Sequence, residues 1–172
     1  LGDNPSKGGV LLFGDIAYPR LRKIIDTTKE AGNVEYLAWK VFLAPHHCSK
    51  SAMYQKEGDK EVLKQDILDD LAEYQVDGGV IIASSEKIPL QNASGENPPH
   101  AKAKKRYEEI ADGGFLCTHE DGEDGEPLVF DVSDGALDAP EVAQAAAARK
   151  LADAIDDARG SDSPPSEQVG YG

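Results

Sequence analysis

Short apolar runs alternate with segments of helical periodicity along this chain. The first run, residues 9–13 (GVLLF), is continuously apolar, which is typical of a strand buried on both faces, and it ends at Gly14-Asp15. A segment opened by Pro19 follows, and its apolar residues recur at helical spacing until Gly32. The pattern predicts a strand followed by a helix.

The next residues repeat this strand and helix order. Residues 36–44 (YLAWKVFLA) form a second apolar run, which Pro45 cuts off. After the polar residues 50–60, we predict a helix that carries one apolar stripe and closes at residues 77–79 (DGG). The stripe consists of Leu63, Ile67, Leu71 and Tyr74. Residues 80–83 are predicted as the third buried strand.

The remaining residues predict one more helix within the domain and an acidic extension. A short helix carries Ala103, Tyr107 and Ile110 inward, and strands at residues 115–118 and 128–132 flank an acidic turn. An Ala-rich helix follows Asp138 and ends at Gly160, and residues 161–172 have the composition of a disordered tail. We therefore place the domain at residues 1–137, the acidic helix at 138–160 and the tail at 161–172. Alternating strands and helices predict an α/β layered fold.

Charge is concentrated at one end of the chain. The 172 residues carry a formal net charge of −14, and residues 120–172 contribute 3 basic and 14 acidic side chains. The preceding residues are nearly neutral, so the low pI does not exclude nucleic acid as a ligand, whereas the acidic tail suits a basic protein partner. No run approaches the roughly 20 apolar residues of a membrane span, and we expect a cytoplasmic protein without membrane contact. The two cysteines, Cys48 and Cys117, are expected to be reduced.

Polar residues suited to chemistry follow two of the predicted strands. Asp15 comes directly after the first strand, and His46-His47 come after the second. Catalytic groups in layered α/β folds commonly gather at strand ends. A helix cap or turn residue is the alternative for Asp15, but two adjacent imidazoles are hard to bury, because four ring nitrogens need partners. Carboxylate and imidazole together suit zinc or manganese.

Two motifs carry a resemblance to a known family. LLFGD at residues 11–15 and PHHCSKS at residues 45–51 resemble consecutive motifs of metallo-β-lactamase-fold hydrolases, of the Pro-His-His-Gly-Ser type found in DNA-uptake competence proteins. Cys48 stands where Gly is more common. The resemblance covers residues 8–135 and implies the C-terminal half of a four-layer αββα sandwich, with a mixed β-sheet and flanking helices.

The resemblance also implies a metal-dependent mechanism. Asp15 would bridge two zinc ions, with manganese as the alternative metal, and one histidine of the His46–His47 pair would complete the coordination. The activated water would attack a phosphodiester such as nucleic acid, while the other histidine contacts the substrate or protonates the leaving oxygen. The family's upstream His-x-His-x-Asp-His cluster does not occur in these residues. We therefore expect a missing N-terminal half or a complementary chain as partner.

Three further residues are candidates beside these motifs. Ser49 would orient a histidine or bind substrate, Lys50 would clamp a phosphate, and His100 would act as a catalytic proton donor or further ligand. Each has a structural alternative: a cap of the next turn for Ser49, a solvated side chain for Lys50, and a helix N-terminal residue for His100. Lys102, Lys104, Lys105 and Arg106 form a basic cluster for which a solvated helix face is favoured over nucleic-acid contact. His119 is by default a surface histidine, with a weak metal site as the alternative.

Two functions follow from these residues. The first is a metal-dependent hydrolase, a phosphodiesterase when complete. The second is a non-catalytic module that retains half of the fold and binds a partner through its acidic tail. Metal binding that depends on Asp15 and His47 separates the two.

Overall fold

A computed structural model of the chain describes residue 7 and residues 9–91, 97–121, 127–133 and 136–138. Of the acidic helix predicted at residues 138–160, Asp138 instead ends a β-strand and residues 139–160 lie outside the described ranges. The tail at 161–172, most of the acidic turn and most of the first eight residues also lie outside them.

Four parallel strands form the main sheet. They are β1 (Gly9–Leu12), β2 (Trp39–Leu43), β5 (Gln75–Ala83) and β6 (Phe115–Cys117), and they are neighbours in that order. Antiparallel pairing is confined to two hairpins, β3 (Tyr54–Glu57) with β4 (Lys60–Leu63) and β7 (Asp131–Ser133) with β8 (Ala136–Asp138). The predicted α/β class is confirmed, but the main sheet is parallel throughout instead of mixed.

Three helices connect the parallel strands and pack on one face of the sheet. They are α1 (Tyr18–Glu30), α3 (Gln65–Glu73) and α4 (Ala101–Ile110). Right-handed crossovers between strands that follow one another in order bring successive helices to the same face. The apolar side chains of all three helices accordingly share one core with the inward residues of the sheet. This core includes Leu21, Ile25, Ile67, Leu71, Tyr107, Trp39, Phe42 and Ile81.

Aromatic residues fix the centre of this core. The Trp39 ring is fully buried, and its Nε1–H donates a hydrogen bond to the carbonyl oxygen of Leu71 at 2.9 Å. Phe42 packs edge-on against Tyr107, with 5.9 Å between ring centroids. Satisfying the indole N–H removes the cost of burying it, so the sheet and α3 are joined by a polar as well as an apolar contact.

The opposite face of the sheet is only partly covered. Val41, Val80, Ile82 and Leu116 form a second apolar cluster, against which Leu128 and Phe130 pack. At the edge strand, Val10 and Leu12 remain 44% and 63% exposed. This side of the sheet therefore carries an apolar margin along β1.

Three local predictions differ from the structure. The polar residues 50–60 contain the start of a hairpin, and Leu63 ends β4, so helix α3 begins only at Gln65. Gly78 and Gly79 lie inside β5 and do not mark a loop. A Cβ at Gly79 would lie 2.9 Å from the Trp39 ring, so this glycine permits a close approach within the sheet.

Two strand boundaries also move. The run predicted as a strand at residues 36–44 begins with a 3₁₀ turn, Val34–Leu37, and only Trp39–Leu43 pairs in the sheet. The strand predicted at residues 128–132 lies at Asp131–Ser133. Leu128 and Phe130 instead pack their side chains on the sheet, which explains their apolar character without strand pairing. Among the residues described here, no helix has the length and hydrophobicity to cross a bilayer.

Candidate metal centre

The carboxyl ends of the four parallel strands meet at one edge of the sheet. Asp15 follows β1, His46 and His47 follow β2, Ser84 follows β5, and Thr118 follows β6. Functional side chains of parallel α/β sheets commonly lie at the carboxyl ends of the strands, where rigid backbone positions them. The fold thus brings together the two motifs that lie about 30 residues apart in the sequence.

Asp15 stands free of the helix that follows it. Gly14 has a φ of +66°, a left-handed turn that lets the chain leave β1 and present Asp15 outward. The N-cap of α1 is Ala17, and the side chain of Asp15 is 65% exposed. The helix-cap alternative for Asp15 is therefore wrong, whereas the turn alternative agrees with the structure, because the N–H of Ile16 donates to the carbonyl oxygen of Gly14 at 3.0 Å around Asp15.

The two histidines lie on a left-handed turn. The four-residue segment α2, Pro45–Cys48, contains three consecutive non-glycine residues with positive φ: His46 at 50°, His47 at 53° and Cys48 at 62°. This conformation costs L-residues about 1–2 kcal/mol each. Strain of this kind persists only where the surroundings hold it, and it is concentrated at functional sites.

Hydrogen bonds to two neighbouring segments, at Gly14 and at His100, hold the turn. The N–H of His46 donates to the carbonyl oxygen of Gly14 at 3.2 Å, which ties the turn to β1. The N–H of His100 donates to the carbonyl oxygen of Cys48 at 3.1 Å, and the N–H of Lys50 donates to Nδ1 of His100 at 3.3 Å. These contacts anchor both ends of the turn to neighbouring segments.

Cys48 anchors the same turn to the main core. Its side chain is fully buried in the main core, and burial raises the pKa of the thiol to about 12. A thiol with so high a pKa stays protonated at neutral pH and is a poor nucleophile and metal ligand. Cys48 therefore acts as an apolar anchor, while the histidines before it face outward.

The contacts of the His47 ring define its tautomer. Nδ1 lies 2.6 Å from the carbonyl oxygen of Ser84. A carbonyl oxygen can only accept, so Nδ1 carries a proton, and in the neutral ring the lone pair is on Nε2. Nε2 lies 3.7 Å from Oδ1 of Asp15, and both side chains are more than half exposed.

This pair of atoms fits two ligands of a zinc or manganese ion. Metal-bound histidines commonly donate their other ring N–H to a carbonyl or carboxylate, as His47 does to Ser84. Bonds of about 2.0–2.1 Å in a tetrahedral arrangement place two ligand atoms about 3.4 Å apart. The 3.7 Å between Nε2 and Oδ1 is close to that spacing. A shift of a few tenths of an ångström would bring the two atoms to the separation of tetrahedral ligands.

Asp15 and His47 do not form a complete site by themselves. Within the described ranges, no group of three or more His, Cys, Asp and Glu side chains is placed to hold a metal ion. The His46 ring is half-buried, and its centroid is 6.4 Å from that of His47 in an edge-on arrangement. Of the two adjacent histidines, His47 is the one directed toward Asp15.

Ser49 and Lys50 have structural partners. Oγ of Ser49 accepts a hydrogen bond from the N–H of Ser51, and only 4% of Ser49 is exposed, so it caps the next turn. Nζ of Lys50 lies 2.9 Å from a carboxylate oxygen of Glu61, to whose other oxygen Lys102 binds at 2.9 Å. Hydrogen bonds from Lys102 and Lys50 lower the pKa of Glu61. The charge of Lys50 is thus engaged within the protein.

His100 is buried and is the N-cap of α4, with 3% of its surface exposed. It holds the backbone of residues 48–50 and does not lie among the described residues that line the cleft. The basic residues of α4 also have partners: besides Lys102, Lys104 pairs with Glu108 and Arg106 with Glu109. Their arrangement agrees with a solvated helix face.

A cleft of about 740 Å³ adjoins His47 along the ends of β5 and β6. The described residues that line it are His47, Ser84, Ser85, Glu86, Pro98, Pro99, Thr118 and His119. Nδ1 of His119 lies 3.3 Å from a carboxylate oxygen of Glu86. The sequence analysis did not single out Ser84 or Glu86. The strand-end rule that found Asp15 would have found them if applied to the third strand.

No family model, curated protein or solved structure matches this chain. A function is therefore inferred from the fold and from the geometry of the site.

Proposed function

We propose that this chain supplies the Asp15 and His47 ligands of a metal-dependent hydrolase. The observation that carries the proposal is the His47 ring, whose N–H is bound to the carbonyl oxygen of Ser84 while Nε2 faces the carboxylate of Asp15. A strained turn holds the ring there, which favours a functional position over a solvated one. A bound zinc or manganese ion would supply a water of lowered pKa at this edge.

The residues of this chain would perform two tasks. Asp15 and His47 would bind the metal, and Ser84 would keep His47 in the tautomer that coordinates through Nε2. Further ligands would come from residues outside the described pair, in keeping with the predicted N-terminal half or complementary chain. The proposal includes the four-layer arrangement of metallo-β-lactamase-fold hydrolases, in which a second layer would cover the apolar margin formed by Val10 and Leu12. A cytoplasmic location stays a prediction.

Zinc titration by calorimetry of the longest natural form of the protein, which would include the residues that supply the further ligands, tests the proposal. We expect the wild type to bind zinc, and Asp15→Asn and His47→Gln each to weaken binding by at least tenfold, because each removes one ligand. Asp59→Asn is the matched control, since it removes an exposed carboxylate at the β3–β4 turn. Equal zinc affinity in Asp15→Asn and Asp59→Asn would overturn the proposal and leave the partner-binding module as the function to pursue.

A further inference from the structure

We propose that the cleft beside His47 is the leaving-group subsite of this hydrolase, with His119, oriented by Glu86, as the proton donor. The inference rests on the proposed metal site, because it assigns what lies next to that site. The cleft takes an uncharged alcohol portion of a small ester, a phosphoester or a carboxylic ester, and not a stretch of polyanion.

The position of the cleft is the first support. It opens at the carboxyl ends of β5 and β6, directly beside the strand ends that carry Asp15 and His47. His47 is itself one of its walls. A group held in this cleft is therefore adjacent to the proposed metal ligands.

Each imidazole of the cleft has an oxygen atom near its Nδ1. Nδ1 of His47 faces the carbonyl oxygen of Ser84, and Nδ1 of His119 faces the carboxylate of Glu86 at 3.3 Å. In each ring the partner on Nδ1 leaves Nε2 as the nitrogen available to a ligand.

His119 differs from His47 in what it can reach. It belongs to no described group of metal-ligating side chains, so it does not extend the Asp15–His47 pair into a three-ligand site. It shares the cleft with His47 nonetheless, and a volume of about 740 Å³ admits a small organic group between the walls. His119 is therefore placed to contact substrate.

The composition of the walls selects the ligand class. The described lining residues contain neither Lys nor Arg, and Glu86 is the formal negative charge among them. Proteins that track a phosphate backbone rely on Lys and Arg for most of their affinity. The hydroxyls of Ser84, Ser85 and Thr118 and the rings of Pro98 and Pro99 instead suit an uncharged group with polar and apolar parts.

Hydrolysis of the ester needs no reactant other than water. The oxygen of water bonds to the phosphorus or acyl carbon and gives one proton to solvent, while the bond to the leaving oxygen breaks with its electron pair. That oxygen takes a proton from Nε2 of His119, which then regains one from solvent. General acids of this kind contribute about 10²–10⁴-fold to the rate.

The first test measures binding and not activity. Ring resonances of the four histidines of this chain are followed by NMR in the longest natural form of the protein, first with zinc alone and then with zinc and methyl phenylphosphonate. We expect zinc to shift His47 and not His119, and the phosphonate to shift His119. His119→Gln should weaken phosphonate binding about tenfold, the loss of one charge-assisted hydrogen bond, with zinc affinity unchanged.

Glu86→Gln should weaken phosphonate binding severalfold, and Glu120→Gln, which removes a neighbouring charge outside the described lining, should leave it unchanged. Unaltered phosphonate binding in His119→Gln, with zinc still bound, overturns this inference and leaves the proposed function standing. Absence of zinc binding in the wild type overturns the proposed function, and the inference with it. Tighter binding of a ten-nucleotide single-stranded DNA than of the phosphonate overturns the ligand class.

The second test compares two leaving groups. On the zinc-loaded chain together with whatever partner completes it, His119→Gln should slow hydrolysis of methyl phenylphosphonate about 100-fold, because its alkoxide needs a proton to depart. The 4-nitrophenyl ester departs without one and should be slowed less than about threefold. Equal slowing of both esters would show that His119 supports only the structure, and would overturn the inference.

Discussion

Lys50 donates its backbone N–H to Nδ1 of His100, 50 residues away in the chain, at 3.3 Å. Together with the bond from the N–H of His100 to the carbonyl oxygen of Cys48, it brackets the end of the left-handed turn. His100 therefore holds the turn that presents His47. Its predicted catalytic role gives way to one of positioning.

Replacing His100 tests this positioning role. We expect His100→Ala to lower the free energy of unfolding by about 2–3 kcal/mol, because it leaves a cavity in place of the buried ring and removes the acceptor of the part-buried N–H of Lys50. It should also weaken zinc binding about tenfold, since the turn loosens around His47. His100→Asn places an amide oxygen near the position of Nδ1 and should restore most of both quantities.

Urea denaturation and zinc calorimetry on the same samples measure the two effects. If His100→Ala lost stability while keeping the zinc affinity of the wild type, His100 would support the fold alone. Recovery of both stability and zinc affinity in His100→Asn would show that the hydrogen bond from the N–H of Lys50 supports the metal site.

At Cys48 the backbone conformation and the burial of the side chain favour different residues. Its φ is +62°, which favours glycine, and its side chain is fully buried, which favours a larger residue. Cys48→Ala loses the sulfur and keeps the strain, whereas Cys48→Gly loses the side chain and relieves the strain. We expect the Gly variant to be more stable than the Ala variant by about 1 kcal/mol, the reverse of the order on a helix. Chemical denaturation of both variants measures the order, and a more stable Ala variant would contradict it.

Gly14 makes the turn that exposes Asp15. Its φ is +66°, and a Cβ at this position would meet nothing within 4 Å. Gly14→Ala should therefore cost about 1 kcal/mol through backbone strain and not through a clash. Gly58 has a φ of +61° with equally open surroundings, so Gly58→Ala is a matched control. Both variants should lose a similar free energy of unfolding, but only Gly14→Ala should weaken zinc binding. Equal zinc affinities of the two variants would show that the turn at Gly14 does not position Asp15 for metal binding.

Asp70 joins α3 to α1 through Arg22 and Lys29. Burial by itself raises the pKa of Asp70, but the hydrogen bonds from Lys29 and Arg22 outweigh it, and the pKa lies below its ordinary value. Its stabilising effect is thus present above the pKa of the unfolded state, about 3.9, and is lost as pH falls through the lower folded pKa.

Asp70→Asn should lower the free energy of unfolding at pH 7 by about 2 kcal/mol, because two cations lose their buried partner. The difference from wild type should shrink toward zero in acid below the folded pKa, where Asp70 itself is protonated. Asp69→Asn, at a neighbouring exposed carboxylate, is the control. A difference that stayed constant from pH 7 to acid would contradict the ion-pair account.

Local patterns predicted much of the fold. Continuous apolar runs marked β1, β2 and the end of β5, and the 3.6-residue period marked α1 and α4. The hairpin of β3 and β4 was missed because its strands are short and mostly polar, so they lack the apolar alternation that marks a strand. The start of β5 was missed because Gly78-Gly79 is a turn signal whose packing against Trp39 no local pattern reveals.

The sequence by itself determined the alternation of strands and helices and the placement of Asp15 and the His46–His47 pair at strand ends, since these depend on residue periodicity and on punctuation by Gly and Pro. Only the tertiary structure decided that His47 faces Asp15, that Ser84 sets its tautomer, that His100 clamps the turn and that His119 shares the cleft. Those contacts join residues more than 30 positions apart, and the contacts of Ser84 and Lys50 use backbone atoms that every residue carries. Side-chain identity leaves no trace of them along the chain.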